Sequence, residues 1–384
     1  MQSPRWHVFA PEPLRTRPLR APGVSRAYRL TVFLTVVKLV RKFAPREASV
    51  NSCETYVIPE FTAQSGVTFD ARIAFKTYGA LSPNKDNVVV VPTFYGGRHT
   101  DTEYFMAAGR AVDTSRYFVV VPNMFCNGSS SSPSNTDPPI GRAAFPEISL
   151  YDNVICQHRL VTEHLGIDRI RLVAGFSMGA QQAYQWGALY ADMVDAIAVI
   201  CGSAKTAKHN QLMIEGPTSA LRADAAFNDG WYESVPMKGM LAFGRVYAGW
   251  LFSQTFFREE LYKKIGLQSV EDAVRLTQAY FLQNDANDLL AMARTWYLAD
   301  IGANPVFNGD FQAALSAIRC RAIVMPAETD LYFRIPDNEL EVAGMPNAEL
   351  RPIPSPWGHA AGFGMNQADN DFIDTALRDL LNET

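Results

Sequence analysis

The sequence predicts an α/β fold: a mostly parallel sheet with helices on both faces and a helical lid inserted above the sheet's C-terminal edge. Two observations carry this. From Asn87 onward, short runs rich in Val and Ile, bounded by Pro, Gly or polar residues, alternate with longer helical patterns. Buried parallel strands joined by helical crossovers produce that pattern. Between Ser203 and about Asn304 the alternation stops, and the chain turns helix-like and aromatic.

Taken in order, the chain starts with a basic extension. Residues 1–50 hold ten Lys or Arg against two Glu, about +8 in a chain of net charge −4, which leaves about −12 for the remainder. Inside it, the apolar run Leu30 to Val40 rises roughly 16 Å as a helix, well short of a hydrocarbon core of about 30 Å, so no transmembrane span is expected. The Pro-rich stretch from Pro11 to Pro22 argues against a long amphipathic targeting helix. A cytoplasmic location is expected, with organellar targeting by the basic leader as the alternative.

Residues Thr55 to Thr77 read as an antiparallel edge. Parallel strands follow at Val88 to Val91, Phe118 to Val121, Ile170 to Ala174, Ala196 to Ile200 and Ala322 to Met325, with helices over Leu150 to Leu165, Met178 to Tyr190 and Asp369 to Leu381. This divides the chain into an extension (1–50), a catalytic core (51–204 and 305–384) and a lid (205–304). The lid carries Trp231, Phe243, Tyr247, Trp250, Phe256, Tyr280 and Trp296 among other aromatics. Most read as the lid's own core, and together they suggest an apolar substrate.

Composition narrows the function. A hydrophobic fraction of 48% with 19% charged residues describes a folded globule. A net charge of −4 offers no domain-wide basic field, so nucleic acid is not an expected partner. The five cysteines, Cys53, Cys126, Cys156, Cys201 and Cys320, are odd in number and unclustered, which fits reduced thiols rather than a disulfide framework or a metal site. Cys201, just after an apolar run, is a minor alternative nucleophile against the commoner reading of a small buried hydrophobe.

The chemistry is carried by Gly175-Phe176-Ser177-Met178-Gly179, a Gly-x-Ser-x-Gly between a strand and a helix. Two glycines allow a sharp turn that leaves Ser177 exposed at the sheet edge, the nucleophile turn of the α/β-hydrolase fold. A serine hydroxyl needs a base, and the base needs an acid to orient it. In this fold the order along the chain is serine, acid, histidine, which among the six histidines selects His359, in a loop after the last strand. The acid should follow the strand before that loop; Asp330 is preferred there, with Glu328 and Asp337 as competitors. Donors for a developing oxyanion are expected from the Met178 amide and from Phe94 or Tyr95 in Pro92-Thr93-Phe94-Tyr95-Gly96-Gly97. No phosphate-binding loop or dinucleotide fingerprint occurs, so no cofactor is implied, and His99 and His209 lack partners at metal-ligand spacing.

From about Tyr56 to Leu381 the chain resembles the homoserine O-acetyltransferase family. The resemblance rests on Ser177-Met178-Gly179 followed by Gln182-Ala183 and Trp186, the Gly- and Ser-rich stretch Asn123 to Pro133, the segment Asp285-Ala286-Asn287, and the Asp330 and His359 positions. It implies the same fold and triad, with acetyl-CoA as co-substrate if the enzyme is a transferase. Family members carry a His-x-Leu-Thr-Gly-type oxyanion loop where this chain has Pro92-Thr93-Phe94-Tyr95-Gly96. They also place an arginine for the amino-acid carboxylate in a stretch that here reads Ile214-Glu215-Gly216-Pro217-Thr218. Loss of that cation argues against homoserine.

Three functions follow: a hydrolase passing a small, fairly apolar acyl compound through Ser177, an O-acyltransferase using the same acyl-enzyme, and a non-catalytic binding protein on the same fold. The expected partner is the small-molecule acyl substrate, with a homodimer allowed.

Overall fold

A computed structural model describes residues 53–382. The basic extension, with its Leu30 to Val40 run, lies outside the described residues. Among the described residues the strands are β1 (Glu54–Thr62), β2 (Thr68–Tyr78), β3 (Val88–Val90), β4 (Phe118–Pro122), β5 (Leu172–Phe176), β6 (Ala196–Ile200), β7 (Arg321–Met325) and β8 (Ala348–Leu350). They form one sheet in the order β1-β2-β4-β3-β5-β6-β7-β8. β1 and β2 make an antiparallel hairpin with a register shift between Ile58 and Phe61, β2 pairs antiparallel with β4, and every later pairing is parallel.

The central strands are short and apolar because both faces are covered. Val88, Val90, Val173, Ile197, Val199 and Val324 feed one core, and Val89, Leu172, Ala174, Ala198, Ile323 and Met325 feed the other. Alternate residues of one strand thus serve opposite layers. Helix α1 (Leu150–Arg159) opens on a capping box in which Ser149 Oγ accepts from the Asp152 amide at 3.1 Å, and it runs on into a π-turn over Leu160–His164. Helix α2 (Met178–Leu189) packs beside it on the first core.

The insertion follows β6. Its helices are α3 (Lys208–Arg222), α4 (Met237–Leu251), α5 (Gln254–Arg258), α6 (Val270–Phe281) and α7 (Ala286–Leu298). Its two ends meet at a Lys205–Asp300 bridge, where the ammonium lies 2.7 Å from the carboxylate and the Ile301 amide donates to Ala204 at 3.1 Å. Helix α8 (Phe311–Ala317) and helix α9 (Ile335–Ala343) cover the first face; α10 (Gln367–Asn382) covers the second through Ile373, Ala376 and Leu377. Glu341 of α9, fully enclosed, accepts from the Ala204 amide and the Tyr184 hydroxyl at 2.8 Å each, and so holds the neck of the insertion. Burial pushes its carboxyl up to about 7.

Two strands differ from expectation, and helices α8 and α9 were not expected. β5 lies two residues later than Ile170 to Ala174, because Gly175 and Phe176 still pair with Val199 and Ile200 while Ile170 forms only an isolated bridge to Val194. The strand therefore runs up to Ser177 itself. β8 was not anticipated; Ala348-Glu349-Leu350 is a half-exposed edge without an apolar run. Among the described residues, no helix is long and apolar enough to cross a membrane.

Candidate active site

Ser177 stands between β5 and α2 in a conformation that L-residues rarely adopt, φ 56° and ψ −124°. Such a backbone costs on the order of 1–3 kcal/mol and persists only where its surroundings fix it. Here the Ser177 amide donates to Ile200 at 2.9 Å, and its carbonyl accepts from the Gln181 amide at 3.1 Å. The turn is possible because Gly175 has no side chain: a Cβ there would lie 2.1 Å from the Gly179 carbonyl carbon.

The structure brings His359 and Asp330 to this serine. His359 sits in a short 3₁₀ turn over Gly358–Gly362, and its Nε2 is 3.0 Å from Ser177 Oγ. Its Nδ1 is 2.7 Å from Asp330 Oδ2. A proton on Nδ1, shared with the carboxylate, leaves Nε2 as the acceptor facing the hydroxyl. Asp330 is fully enclosed just past β7, and its other oxygen accepts from the amides of Tyr332 and Phe333 at 3.0 and 3.2 Å, which stops the carboxylate from rotating. The competitors stand elsewhere: Glu328 is exposed, and Asp337 lies half-buried in the first turn of α9.

The imidazole is clamped by rings, with Tyr332 at 4.4 Å, Phe176 at 4.7 Å and Phe333 at 5.4 Å between centroids. Its loop is tied down twice. Thr329 Oγ1 donates to Ser355 at 2.7 Å and accepts from the Gly358 amide at 3.0 Å. Gly358 has φ 66°, and a Cβ on it would meet the Ser253 amide nitrogen at 2.6 Å, so glycine lets this loop press against the end of the insertion's α4–α5 corner.

The expected oxyanion donors lie on both sides of one contact. Met178 is the first residue of α2, so its amide has no partner within that helix. The loop after β3 presses on the same turn, since a Cβ on Gly179 would lie 2.5 Å from the Pro92 carbonyl oxygen. Gln182, a residue that sequence reasoning had not assigned a role, ties the two together. Its Nε2 donates to Thr93 and Met178 carbonyls at 2.9 and 3.1 Å, while its Oε1 accepts from Gln157 at 2.6 Å, and Gln157 in turn accepts from the Trp186 indole at 2.9 Å. Phe94 packs edge-on against Phe176 and Phe363. The Tyr95 side chain points into the insertion, stacking on Tyr247 at 6.0 Å and donating to the Leu289 carbonyl at 3.0 Å, which spends its hydroxyl within the protein.

Cys201 lies behind the pair, its Sγ within 4.8 Å of Asp330 and His359 donor atoms. Burial pushes its thiol far up, and the Asp330 charge adds to this, so it stays protonated and is no nucleophile. Ser177 and His359 open instead on a cavity of about 780 Å³, its mouth included. Phe94, Phe176, Tyr247, Phe252, Phe281 and Phe363 form much of the wall, and among the described residues no Asp, Glu, Lys or Arg lines it.

The family model described as alpha/beta hydrolase fold matches residues 86–361. The chain belongs to this family. An ethyl acetate hydrolase of Pseudomonas veronii is 36% identical over 313 residues, covering 80% of this chain and 89% of that protein. A homoserine O-acetyltransferase of Chlorobaculum tepidum is 30% identical over 308 residues, covering 76% and 84%. The solved structure of the acetyl esterase MekB superposes with a TM-score of 0.85 at 34% identity, covering 88% of this chain and 99% of that one. This α/β hydrolase is accordingly an enzyme, with esterases and acetyltransferases among its relatives.

Proposed function

We propose that the chain is an esterase that cleaves small, uncharged acyl esters through an acyl-enzyme on Ser177. The observation that carries the reading is the Ser177–His359–Asp330 line of hydrogen bonds at 3.0 and 2.7 Å, set in a wall without a charged side chain. Ser177 Oγ attacks the ester carbonyl as its proton passes to His359 Nε2. The tetrahedral oxyanion takes hydrogen bonds from the Met178 amide and from the amide of Phe94 or Tyr95. The C–O bond to the alcohol then breaks, the leaving oxygen receives the proton from Nε2, and the acyl group stays on Ser177. Water, losing a proton to Nε2, attacks the acyl carbon; the bond to Ser177 Oγ then breaks, Oγ takes the proton back from Nε2, and the acid leaves.

The same residues would serve an O-acetyltransferase, in which acetyl-CoA is the donor and an alcohol replaces water; the identity to homoserine O-acetyltransferases supports that second reading. Homoserine itself fits poorly, because Thr218, in the stretch where an arginine would be needed, spends its hydroxyl on the Ile214 carbonyl at 2.8 Å. The proposal divides the chain into a catalytic core over 51–204 and 305–384 and a lid over 205–304. It places the enzyme in the cytoplasm, supported by five free thiols. It also includes a homodimer, supported by exposed Leu212, Trp231, Val235 and Met237 on the insertion, which light scattering checks.

Intact-protein mass spectrometry after brief mixing with an aryl acetate or with acetyl-CoA tests the chemistry, with Ser177→Ala as control. Acetylation and turnover with the ester alone are expected. Labelling of Ser177 by acetyl-CoA would move the assignment to the transferase, and no labelling by either would overturn both.

A further inference from the structure

Tyr280 carries a hydroxyl that nothing in the protein satisfies. It stands near the end of α6, its ring is part of the cavity wall shared by Ser177 and His359, and its oxygen is buried without a hydrogen-bond partner. Three other hydroxyls of that wall are accounted for. Tyr95 donates to Leu289 at 3.0 Å, Thr277 to Ala273 at 3.1 Å, and Ser177 faces His359 at 3.0 Å. The Tyr247 ring is packed face-on against Tyr95 and Phe243, with centroids 6.0 and 5.9 Å away.

The Tyr280 ring is also held in place. It meets Phe281 at 79° and Phe363 at 90°, with centroids 5.3 and 6.1 Å apart. Its Cε1 lies 3.4 Å from where a Cβ on Gly96 would sit, beside the loop that supplies the second oxyanion donor. Water can serve such a phenol until a ligand fills the cavity, and a ligand that displaces the water must bring an acceptor or leave the hydroxyl unpaired at a cost. Purely alkyl esters bring none beyond the scissile group, which the Met178 side of the site already serves.

We propose that Tyr280 is a specificity-determining residue, donating a hydrogen bond to an ether, keto or hydroxyl oxygen that the substrate carries away from its scissile ester. The preferred substrates are then oxygenated esters rather than plain alkyl ones. This rests on the esterase reading and narrows it.

The test uses isosteric pairs in which one CH₂ is exchanged for oxygen. On the alcohol side these are 2-methoxyethyl acetate and butyl acetate; on the acyl side, ethyl methoxyacetate and ethyl butanoate. The quantity read is the kcat/KM ratio, oxygenated over alkyl, within one protein preparation, so the fraction of folded enzyme cancels. Dividing by the same ratio for hydroxide hydrolysis removes intrinsic reactivity.

In the wild type the corrected ratio should exceed one for at least one pair, and that pair shows on which side of the ester Tyr280 acts. Tyr280→Phe should lower it about five- to tenfold, the worth of one neutral hydrogen bond, mainly through KM. A corrected wild-type ratio near one for both pairs overturns the proposal without any variant. So does a ratio that Tyr280→Phe leaves within twofold. A wild type that hydrolyses none of the four esters overturns the esterase reading and this proposal with it, and is recognised before any variant is compared.

Discussion

The sheet edge and the insertion build the two halves of one cavity by different means. At the ends of β5 and β7 the backbone does the positioning: Ser177 is held in a strained conformation by amide bonds, and Asp330 is locked by two amides. In the insertion, side-chain rings do it, with Tyr247, Phe281 and Tyr280 meeting at centroid distances of 4.7 and 5.3 Å. Backbone positioning tolerates little change, whereas ring packing can be re-cut while the fold survives. Under the proposed function, reaction type resides in the sheet and substrate choice in the insertion. Damage to the sheet edge should lower turnover of every ester, and damage to the insertion should change which ester is preferred.

The largest expected effects lie at the sheet edge. Ser177→Ala and His359→Ala should each lower kcat by about 10⁶ with the far-ultraviolet circular dichroism unchanged, since each removes the proposed nucleophile or its proposed base. Asp330→Asn should cost about 10⁴, because the amide can donate to Nδ1 and so invert the tautomer. If the loss differed tenfold or more between alkyl esters of different length, reaction type and substrate choice would not be separable.

Next comes stability. Gly175→Ala places a methyl 2.1 Å from backbone rather than from a movable side chain. The strand-to-helix turn must then open, at a cost of about 3 kcal/mol or more, read as a fall in the urea midpoint. An unfolding free energy within about 0.5 kcal/mol of wild type would show that the turn is softer than its geometry implies.

The same division explains what could be read from the sequence. Ser177, Asp330 and His359 were legible because each follows from a local pattern, a strand ending in a glycine-flanked serine, a strand end, and a loop histidine in the right chain order. The parallel strands were legible because double burial demands Val and Ile. β8 was not, because an edge strand needs no apolar run, and helices α8 and α9 were missed along with it. The wall of the cavity was not legible either. Tyr95 and Tyr280 look alike as aromatic residues, yet one hydroxyl is spent on Leu289 and the other is free, a distinction made only by contacts 194 residues apart in the chain. Gln182 enters the sequence reading through the resemblance alone; its part in joining the loop after β3 to α2 depends on Thr93, 89 residues away.

The smallest effect concerns how the two halves are joined. Asp288, in the first turn of α7, accepts from the Ser134 amide at 2.9 Å and from its hydroxyl at 2.6 Å, linking insertion to core. Burial pushes its carboxyl from 3.8 up to about 7, the hydrogen bonds from Ser134 opposing and neighbouring Asp285 reinforcing the shift. A raised carboxyl means that the folded state holds a proton the unfolded state has released between about pH 4 and 7. Its contribution to stability is thus full below about pH 4 and is lost as pH rises through 7. Thermal stability of the wild type should fall from pH 5 to pH 8, and Asp288→Asn should flatten that slope by at most about 1.4 kcal/mol per pH unit, one proton's worth. The slope should not vanish, because Glu341, pushed up to about 7, and Asp101, pushed up to about 6, act in the same direction. An unchanged slope in Asp288→Asn would show that the joint between insertion and core carries an ordinary, ionised carboxylate, and that Ser134 is held by charge rather than by a shared proton.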